Sequence, residues 1–64
     1  MNRSERLRDI KKKYKLNHAD LADICAVSRF TVISWLRSPD SAAYREPPEM
    51  ALRLLELVAP GYKN

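Results

Sequence analysis

Apolar residues recur at helical spacing in four short segments of this chain, and no segment shows the alternation of a half-buried strand. In the first segment, Leu7, Ile10 and Tyr14 are three and four residues apart, so they share one face of a helix. We therefore expect an all-α fold, a compact bundle of four to five short helices that forms one domain over residues 1–64.

Polar residues and prolines mark the ends of the predicted helices. The first three helices each follow a residue whose side chain can cap them: Asn2, Asn17 and Ser28. The predicted ranges are about 3–14, 18–25, 29–37 and 48–58. The last of these helices opens at Pro47–Pro48, and we expect Pro60–Gly61 to close it. A further short helical turn is expected to start at Ser38.

The small size of the chain limits its possible functions. With 64 residues, of which 45% are apolar, the core must be small, and we expect no room beside it for a substrate cleft of several hundred Å³. One histidine and one cysteine cannot supply the three or four clustered ligands of a metal site. A single glycine excludes a glycine-rich phosphate loop. We expect a binding protein without catalytic residues, metal, cofactor or small-molecule ligand.

The expected location is the cytoplasm. No apolar run is long enough to span a membrane, and the first five residues lack the apolar segment of a secretion signal. Cys25 is the only cysteine and cannot form an intramolecular disulfide, which is typical of a protein in a reducing compartment.

Positive charge is concentrated in the N-terminal half. The net charge is +4, but residues 1–37 carry nine Lys/Arg and four Asp/Glu, whereas residues 38–64 carry three and four. A basic half favours a polyanionic partner. The alternative is a lysine-rich helix surface that is simply solvated.

The third predicted helix has an unusual outer face. Val32 and Trp35 define its buried side. The opposite side collects Arg29, Phe30, Ile33, Ser34 and Arg37. Large apolar side chains among arginines indicate a contact surface for another molecule, unless Phe30 and Ile33 pack against the connection at 38–46 or a partner protein.

Residues 18–37 contain two short predicted helices separated by only three residues, and the stretch reads HADLADICAVSRFTVISWLR. Two such helices cross closely only where a small residue lies at the crossing, and Ala22 occupies that place. The other positions of the pattern are Leu21 and Cys25 before the turn, Val27 and Ser28 in it, and Val32 and Trp35 after it. This pattern resembles the helix-turn-helix of lambda-repressor-like (Cro/repressor) DNA-binding proteins, with the likeness covering about residues 4–58.

Two details refine the resemblance. Residues 44–55 are similar to the ends of very small phage and prophage regulators, among them the repressors that accompany anti-CRISPR genes. Ala26 stands where the family usually has glycine, so we expect either a strained left-handed residue or a different local path there.

The resemblance implies a transcriptional regulator whose second helix-turn-helix helix enters the major groove of double-stranded DNA. The implied base contacts are Ser28, Arg29, Phe30, Ile33 and Ser34. The implied contacts to the DNA backbone are His18, Thr31, Arg37, Tyr44 and Arg45. Arg29 can pair with guanine O6 and N7, and Phe30 and Ile33 can touch thymine methyl groups.

Apolar residues cover more than half of the fourth predicted helix, which is more than one core contact needs. We therefore expect a homodimer, with an interface formed by Met50, Leu52, Leu54 and Leu55. Such a dimer is expected to bind an inverted-repeat operator and to act as a repressor, including of its own operon. The alternative is a protein-interaction module of the antitoxin or antirepressor type that uses Phe30, Ile33 and the C-terminal leucines.

Overall fold

A computed structural model of the chain describes residues 2–62 as four α-helices. They are α1 (Arg3–Lys13), α2 (His18–Cys25), α3 (Arg29–Leu36) and α4 (Glu49–Tyr62). The described residues contain no strand, so the all-α prediction is confirmed, with four helices. Residues 1, 63 and 64 of the expected domain lie outside the described range. None of the helices found over residues 2–62 has the length and apolar character needed to cross a bilayer.

Local side-chain hydrogen bonds begin the first three helices as predicted. The Asn2 side chain accepts a bond from the Glu5 amide at 2.8 Å, and the Ser28 hydroxyl accepts one from the Thr31 amide at 3.2 Å. At α2 the bonds are reciprocal, because the side chain of Asn17 accepts from the amide of Asp20 (2.8 Å) while the Asp20 carboxylate accepts from the Asn17 amide (3.0 Å). Each cap satisfies amides that the helix itself leaves without partners.

The first two helices end at residues in the left-handed region. Ala26 has φ 57° and ψ 44° at the end of α2, and Lys15 has φ 55° just after α1. The amide of Val27 bonds back to the carbonyl of Ala22 at 3.0 Å, which is the bond of a Schellman motif. Of the two expected paths at Ala26, the left-handed one is the path observed.

The core lies where α4 packs against α1 and α2, with α3 packed on α1 and α2. The side chains with no exposed surface include Leu7, Leu21, Val32, Leu52 and Leu55. Ile24 and Pro47 are also buried, although the sequence pattern did not single them out. Cys25, a position of the predicted helix-turn-helix pattern, is half-buried and packs against the core.

Two predictions about the later part of the chain are wrong. Residues 38–44 form two successive turns and no helix: the Ser41 amide bonds to the Ser38 carbonyl (2.9 Å), and the Tyr44 amide bonds to the Ser41 carbonyl (3.1 Å). Pro60 does not end α4, which continues to Tyr62. A proline two residues before a helix end removes only one hydrogen bond.

Tyr62 joins the end of α4 to α2. Its phenol packs beside the core and donates a 2.7 Å hydrogen bond to the carboxylate of Asp23. This bond raises the pKa of Tyr62 to about 12, since the neutral phenol is the hydrogen-bond donor. The contact is between residues far apart in sequence, which explains why the local signal of Pro60–Gly61 gave the wrong helix end.

Ion pairs set the rotation of α4 relative to α1. The Arg6 guanidinium bonds to Glu49 at 2.9 Å and to Glu56 at 3.0 Å, and Arg3 pairs with Glu46. The hydrogen bond from Arg6 holds the pKa of the Glu49 carboxyl below its usual value. These pairs are partly exposed, so each adds little stability. They do place Glu49 and Glu56, the acidic stripe of α4, against α1.

The left-handed turn at Ala26 predicts a stabilising substitution. Ala26→Gly removes the clash between a Cβ and the backbone, and we expect the free energy of unfolding to rise by about 1 kcal/mol. The matched control is Ala19→Gly in the helical backbone of α2, which is expected to lower it by roughly 0.5–1 kcal/mol. Urea denaturation of both variants measures the effect. A loss of stability in Ala26→Gly would contradict the strained turn.

Candidate nucleic-acid interface

The outer face of α3 is exposed as predicted from the sequence. Val32 and Trp35 bury the inner side of the helix, while Phe30 keeps 82% of its surface exposed. Arg29 is exposed, and Ile33 and Ser34 are half-buried beside it. Arg37 is exposed just beyond the last residue of α3. The five predicted residues therefore lie on one side of α3 and just beyond its end, with the aromatic ring of Phe30 among the exposed side chains.

Three hydroxyl groups of this surface already serve the helix itself. Ser28 Oγ caps α3 and lies 3.1 Å from Thr31 Oγ1. Ser34 Oγ donates its proton to the carbonyl of Phe30 at 3.0 Å. Because a hydroxyl has one proton and two acceptor positions, Ser34 can accept a hydrogen bond from a ligand without breaking this contact.

Arginines divide into two groups in the structure. Three arginines pair with carboxylates of α4 or of the segment before it: Arg3 with Glu46, Arg6 with Glu49 and Glu56, and Arg53 with Glu49. Among residues 2–62, the arginines that make no ion pair are Arg8, Arg29, Arg37 and Arg45. The arginines without carboxylate partners are therefore gathered around α3, because each of these four residues lies on α3, follows it or contacts it.

Arg8 and Arg45 make their contacts with α3 through backbone groups. The Arg8 guanidinium donates to the carbonyls of Leu36 (3.0 Å) and Arg37 (3.3 Å). The Arg45 amide donates to the carbonyl of Ser34 at 3.1 Å, which brings the connection between α3 and α4 beside α3. Sequence reasoning missed Arg8, since nothing local to α1 indicates a contact with a helix end 28 residues away.

The other residues that were predicted to contact the DNA backbone differ in their exposure and in the hydrogen bonds that they make. The Arg45 guanidinium donates to the carbonyls of Tyr44 (2.9 Å) and Ala42 (3.3 Å), so it shapes the connection while remaining exposed. Tyr44 is half-buried in the same connection. His18 is the first residue of α2 and Thr31 lies in the first turn of α3, and both are half-buried.

A second surface is an apolar groove of about 410 Å³, open to solvent between α4 and the α2–α3 turn. Its lining residues are Cys25, Val27, Trp35, Pro48, Met50, Ala51, Arg53, Leu54 and Leu57. The expectation that so short a chain has no room for a concavity of this size is wrong. An open groove needs no enlarged core, because its walls are the sides of two packed elements.

The structure corrects the predicted dimer interface. Leu52 and Leu55 have no exposed surface and belong to the core of the single chain, so their side chains are not offered to a partner. Met50 and Leu54 remain exposed, and Leu57, which was not in the prediction, is 80% exposed. The spacing of 50, 54 and 57 defines a helical stripe opposite to that of 52, 55 and 59. The sequence contained both stripes without indicating which one is buried.

Among residues 2–62, no three His, Cys, Asp or Glu side chains are grouped so that they could hold a metal ion. The groove has two polar side chains, Arg53 on its rim and Cys25 on its wall. The thiol of Cys25 lies 3.9 Å from the carbonyl oxygen of Ala51, and burial raises its pKa. Burial thus favours the neutral, less reactive form of this thiol.

The comparisons with known proteins add no family. No protein-family model, no curated protein and no solved structure matches the chain. A function has to be inferred from the exposed face of α3, the arginines around it and the groove.

The environment of Cys25 predicts slow thiol chemistry. The thiolate is the reactive form, and its population at neutral pH falls when the pKa rises. We expect Cys25 to react with 5,5′-dithiobis(2-nitrobenzoate) several times more slowly in the folded protein than in urea. We also expect its rate to keep rising to higher pH. Glutathione under both conditions provides the control, and an equal or faster rate in the folded protein would show that the groove wall is open at Cys25.

Proposed function

We propose that the chain is a sequence-specific regulator of transcription that binds double-stranded DNA by inserting α3 into the major groove. The observation that carries the proposal is the concentration around α3 of all the described arginines that lack carboxylate partners. DNA presents a dense row of phosphates, and arginines without carboxylate partners attract them. An exposed α-helix has the dimensions that fit the major groove.

The outer face of α3 offers the chemistry needed to read bases. Arg29 makes no hydrogen bond or ion pair within the described residues, so its donors are available for guanine O6 and N7. Phe30 and Ile33 offer apolar contact to thymine methyl groups. Ser34 can accept a hydrogen bond from a base amino group, and Ser28 lies at the start of the helix, closest to the groove floor in this mode of docking.

The flanking residues are assigned to the sugar-phosphate backbone. Arg37 follows α3, and Tyr44 and Arg45 lie in the connection that the Ser34 carbonyl holds beside the helix. His18 and Thr31, at the starts of α2 and α3, are assigned to phosphates near those helix ends. Such contacts position the protein, whereas the base contacts specify the sequence.

The proposed working form is a homodimer that binds an inverted repeat. The face of α4 that carries Met50, Leu54 and Leu57 adjoins the apolar groove. One surface therefore offers both protruding side chains and a concavity, which is what a two-fold interface between identical chains requires. In this proposal the dimer represses transcription, including that of its own operon, by excluding polymerase in the cytoplasm of a bacterial or phage-infected cell. It needs no catalysis, cofactor, small ligand or membrane.

The alternative is a protein-interaction module of the antitoxin or antirepressor type. The exposure of Phe30 (82%) and Leu57 (80%) favours it, since both are unusual on a surface that contacts water alone. The two functions differ in one property, which is whether the isolated protein discriminates between DNA sequences.

Selection from a random pool of double-stranded DNA at near-physiological salt tests the proposed function. We expect an inverted repeat with half-sites roughly 10–11 base pairs apart, because two copies of α3 must enter successive major grooves. Arg29→Gln should then weaken binding to the selected sequence by about 1–3 kcal/mol and relax the preference at one base pair of each half-site. The matched control is Lys12→Gln, which removes the same charge from an exposed position of α1.

The outcomes of the selection are distinct. An enriched motif without symmetry would keep DNA recognition and overturn the dimer geometry. Retention without any enriched sequence, seen at low salt only, would overturn sequence-specific binding and favour the protein-interaction module.

The exposed stripe of α4 predicts the effect of a charge on self-association. Leu57→Glu places a carboxylate within the proposed apolar interface, and we expect the protein to become monomeric at concentrations where the unchanged chain is a dimer. Ala43→Glu adds the same charge at an exposed site of the connection and should leave the dimer intact. Sedimentation velocity gives the mass of each. A dimer that survives Leu57→Glu, or an unchanged chain that is already monomeric, would reject this interface.

A further inference from the structure

The C-terminal end of α3 is closed by residues from elsewhere in the chain. α1 and α2 end through left-handed residues of their own. The residue after α3 is instead Arg37, with an extended backbone (φ −68°, ψ 162°). The last carbonyls of a helix have no partners within it, so those of α3 require donors from other elements.

Arg8 of α1 supplies two of these donor contacts. Its Nη2 atom donates to the carbonyl of Leu36 at 3.0 Å and to that of Arg37 at 3.3 Å. The negative end of the helix dipole favours a cation at this place. Within residues 2–62 no carboxylate pairs with Arg8, so these carbonyls are the partners that orient its guanidinium.

The contacts of Arg8 are directional, whereas the apolar contacts of α3 are not. Val32, in the middle of α3, and Trp35, the last residue but one, attach the helix to the core, and apolar burial depends on area more than on orientation. A hydrogen bond weakens steeply with distance and angle. An eight-residue helix that is attached on one side by apolar contacts can tilt unless directional bonds also hold its end.

We propose that Arg8 is a positioning residue that sets the orientation of α3 and thereby the sequence discrimination of Arg29 and Phe30. The proposal rests on the proposed DNA binding. A bidentate contact to guanine requires two donors within hydrogen-bond distance at once, so a small tilt of α3 disrupts it. Contacts to phosphates tolerate the same tilt, because flexible side chains and charge attraction supply them.

The experiment compares Arg8→Gln and Arg8→Lys with Lys12→Gln in the full chain. Glutamine is shorter and neutral and cannot hold both carbonyls, whereas lysine keeps the charge and can donate to one of them. Lys12→Gln removes a charge from an exposed position of the same helix. Each protein is titrated, over a series of salt concentrations, with the DNA selected by the unchanged chain and with a scrambled duplex of equal length and composition.

Positioning predicts a loss of discrimination. For Arg8→Gln we expect the ratio of specific to non-specific affinity to fall by about tenfold, with a salt dependence equal to that of Lys12→Gln. Arg8→Lys should recover part of this ratio. Amide hydrogen exchange at residues 34–37 of the free protein should accelerate in Arg8→Gln and remain unchanged in Lys12→Gln.

Other outcomes overturn the proposal in recognisable ways. If Arg8 contacted a phosphate, Arg8→Gln would weaken binding to both duplexes equally. The slope of log affinity against log salt concentration would then be smaller than that of Lys12→Gln by about one, the value of one phosphate contact. An unchanged ratio together with a lower melting temperature would assign Arg8 to stability alone. If the unchanged chain itself shows no discrimination, the proposed function fails. If the unchanged chain and Arg8→Gln discriminate equally well between the selected and the scrambled duplex, the proposed function stands and only the positioning role of Arg8 is rejected.

Discussion

Burial of one stripe of α4 decides which surfaces remain for binding. Leu52 and Leu55 face α1 and α2 with no exposed surface, so the opposite stripe of the same helix must face outward. Arg6 reinforces this rotation through its bonds to Glu49 and Glu56. A rotation of α4 by half a turn would expose the present core leucines and separate those ion pairs. The groove beside α4 and the acidic stripe against α1 both follow from this one packing choice.

The same rotation distributes charge over the molecule. Individually, the exposed ion pairs contribute little to stability. Together they pair Glu46, Glu49 and Glu56 with arginines of α1, and the arginines near α3 are left without carboxylate partners. Long-range attraction of a polyanion depends on such a separation of charge, whereas in the proposed function the choice of sequence depends on short contacts by Arg29 and Phe30. One helix surface thus combines both requirements of the proposed function.

The sequence predicted those features that depend on neighbouring residues. The caps at Asn2, Asn17 and Ser28 were found because each involves residues three positions apart. The left-handed Ala26 was one of two paths expected there, because the family that the chain resembles usually has glycine at this position. Two of the predictions that failed, the end of α4 and the dimer interface, depend on contacts distant in sequence. Residues nearby in sequence indicate neither the bond from Tyr62 to Asp23 nor which of the two stripes of α4 is buried. The exposed face of α3 was predicted because Val32 and Trp35 identify the opposite side of a short helix.

The ends of the helices suggest why α3 is the element most sensitive to the rest of the chain. α1 and α2 are closed by their own left-handed residues, and the strain at Ala26 is local to the turn that leads into α3. α3 has no such closure, so donors from α1 and from the connection complete it. A substitution at Arg8 therefore changes the contacts at the end of α3 without altering α3 itself. A substitution that relieves the strain at Ala26 changes stability and leaves those contacts in place. The two ends of α3 thus depend on different contacts: the left-handed turn at Ala26 at its start, and donors from Arg8 and from the Arg45 amide at its end.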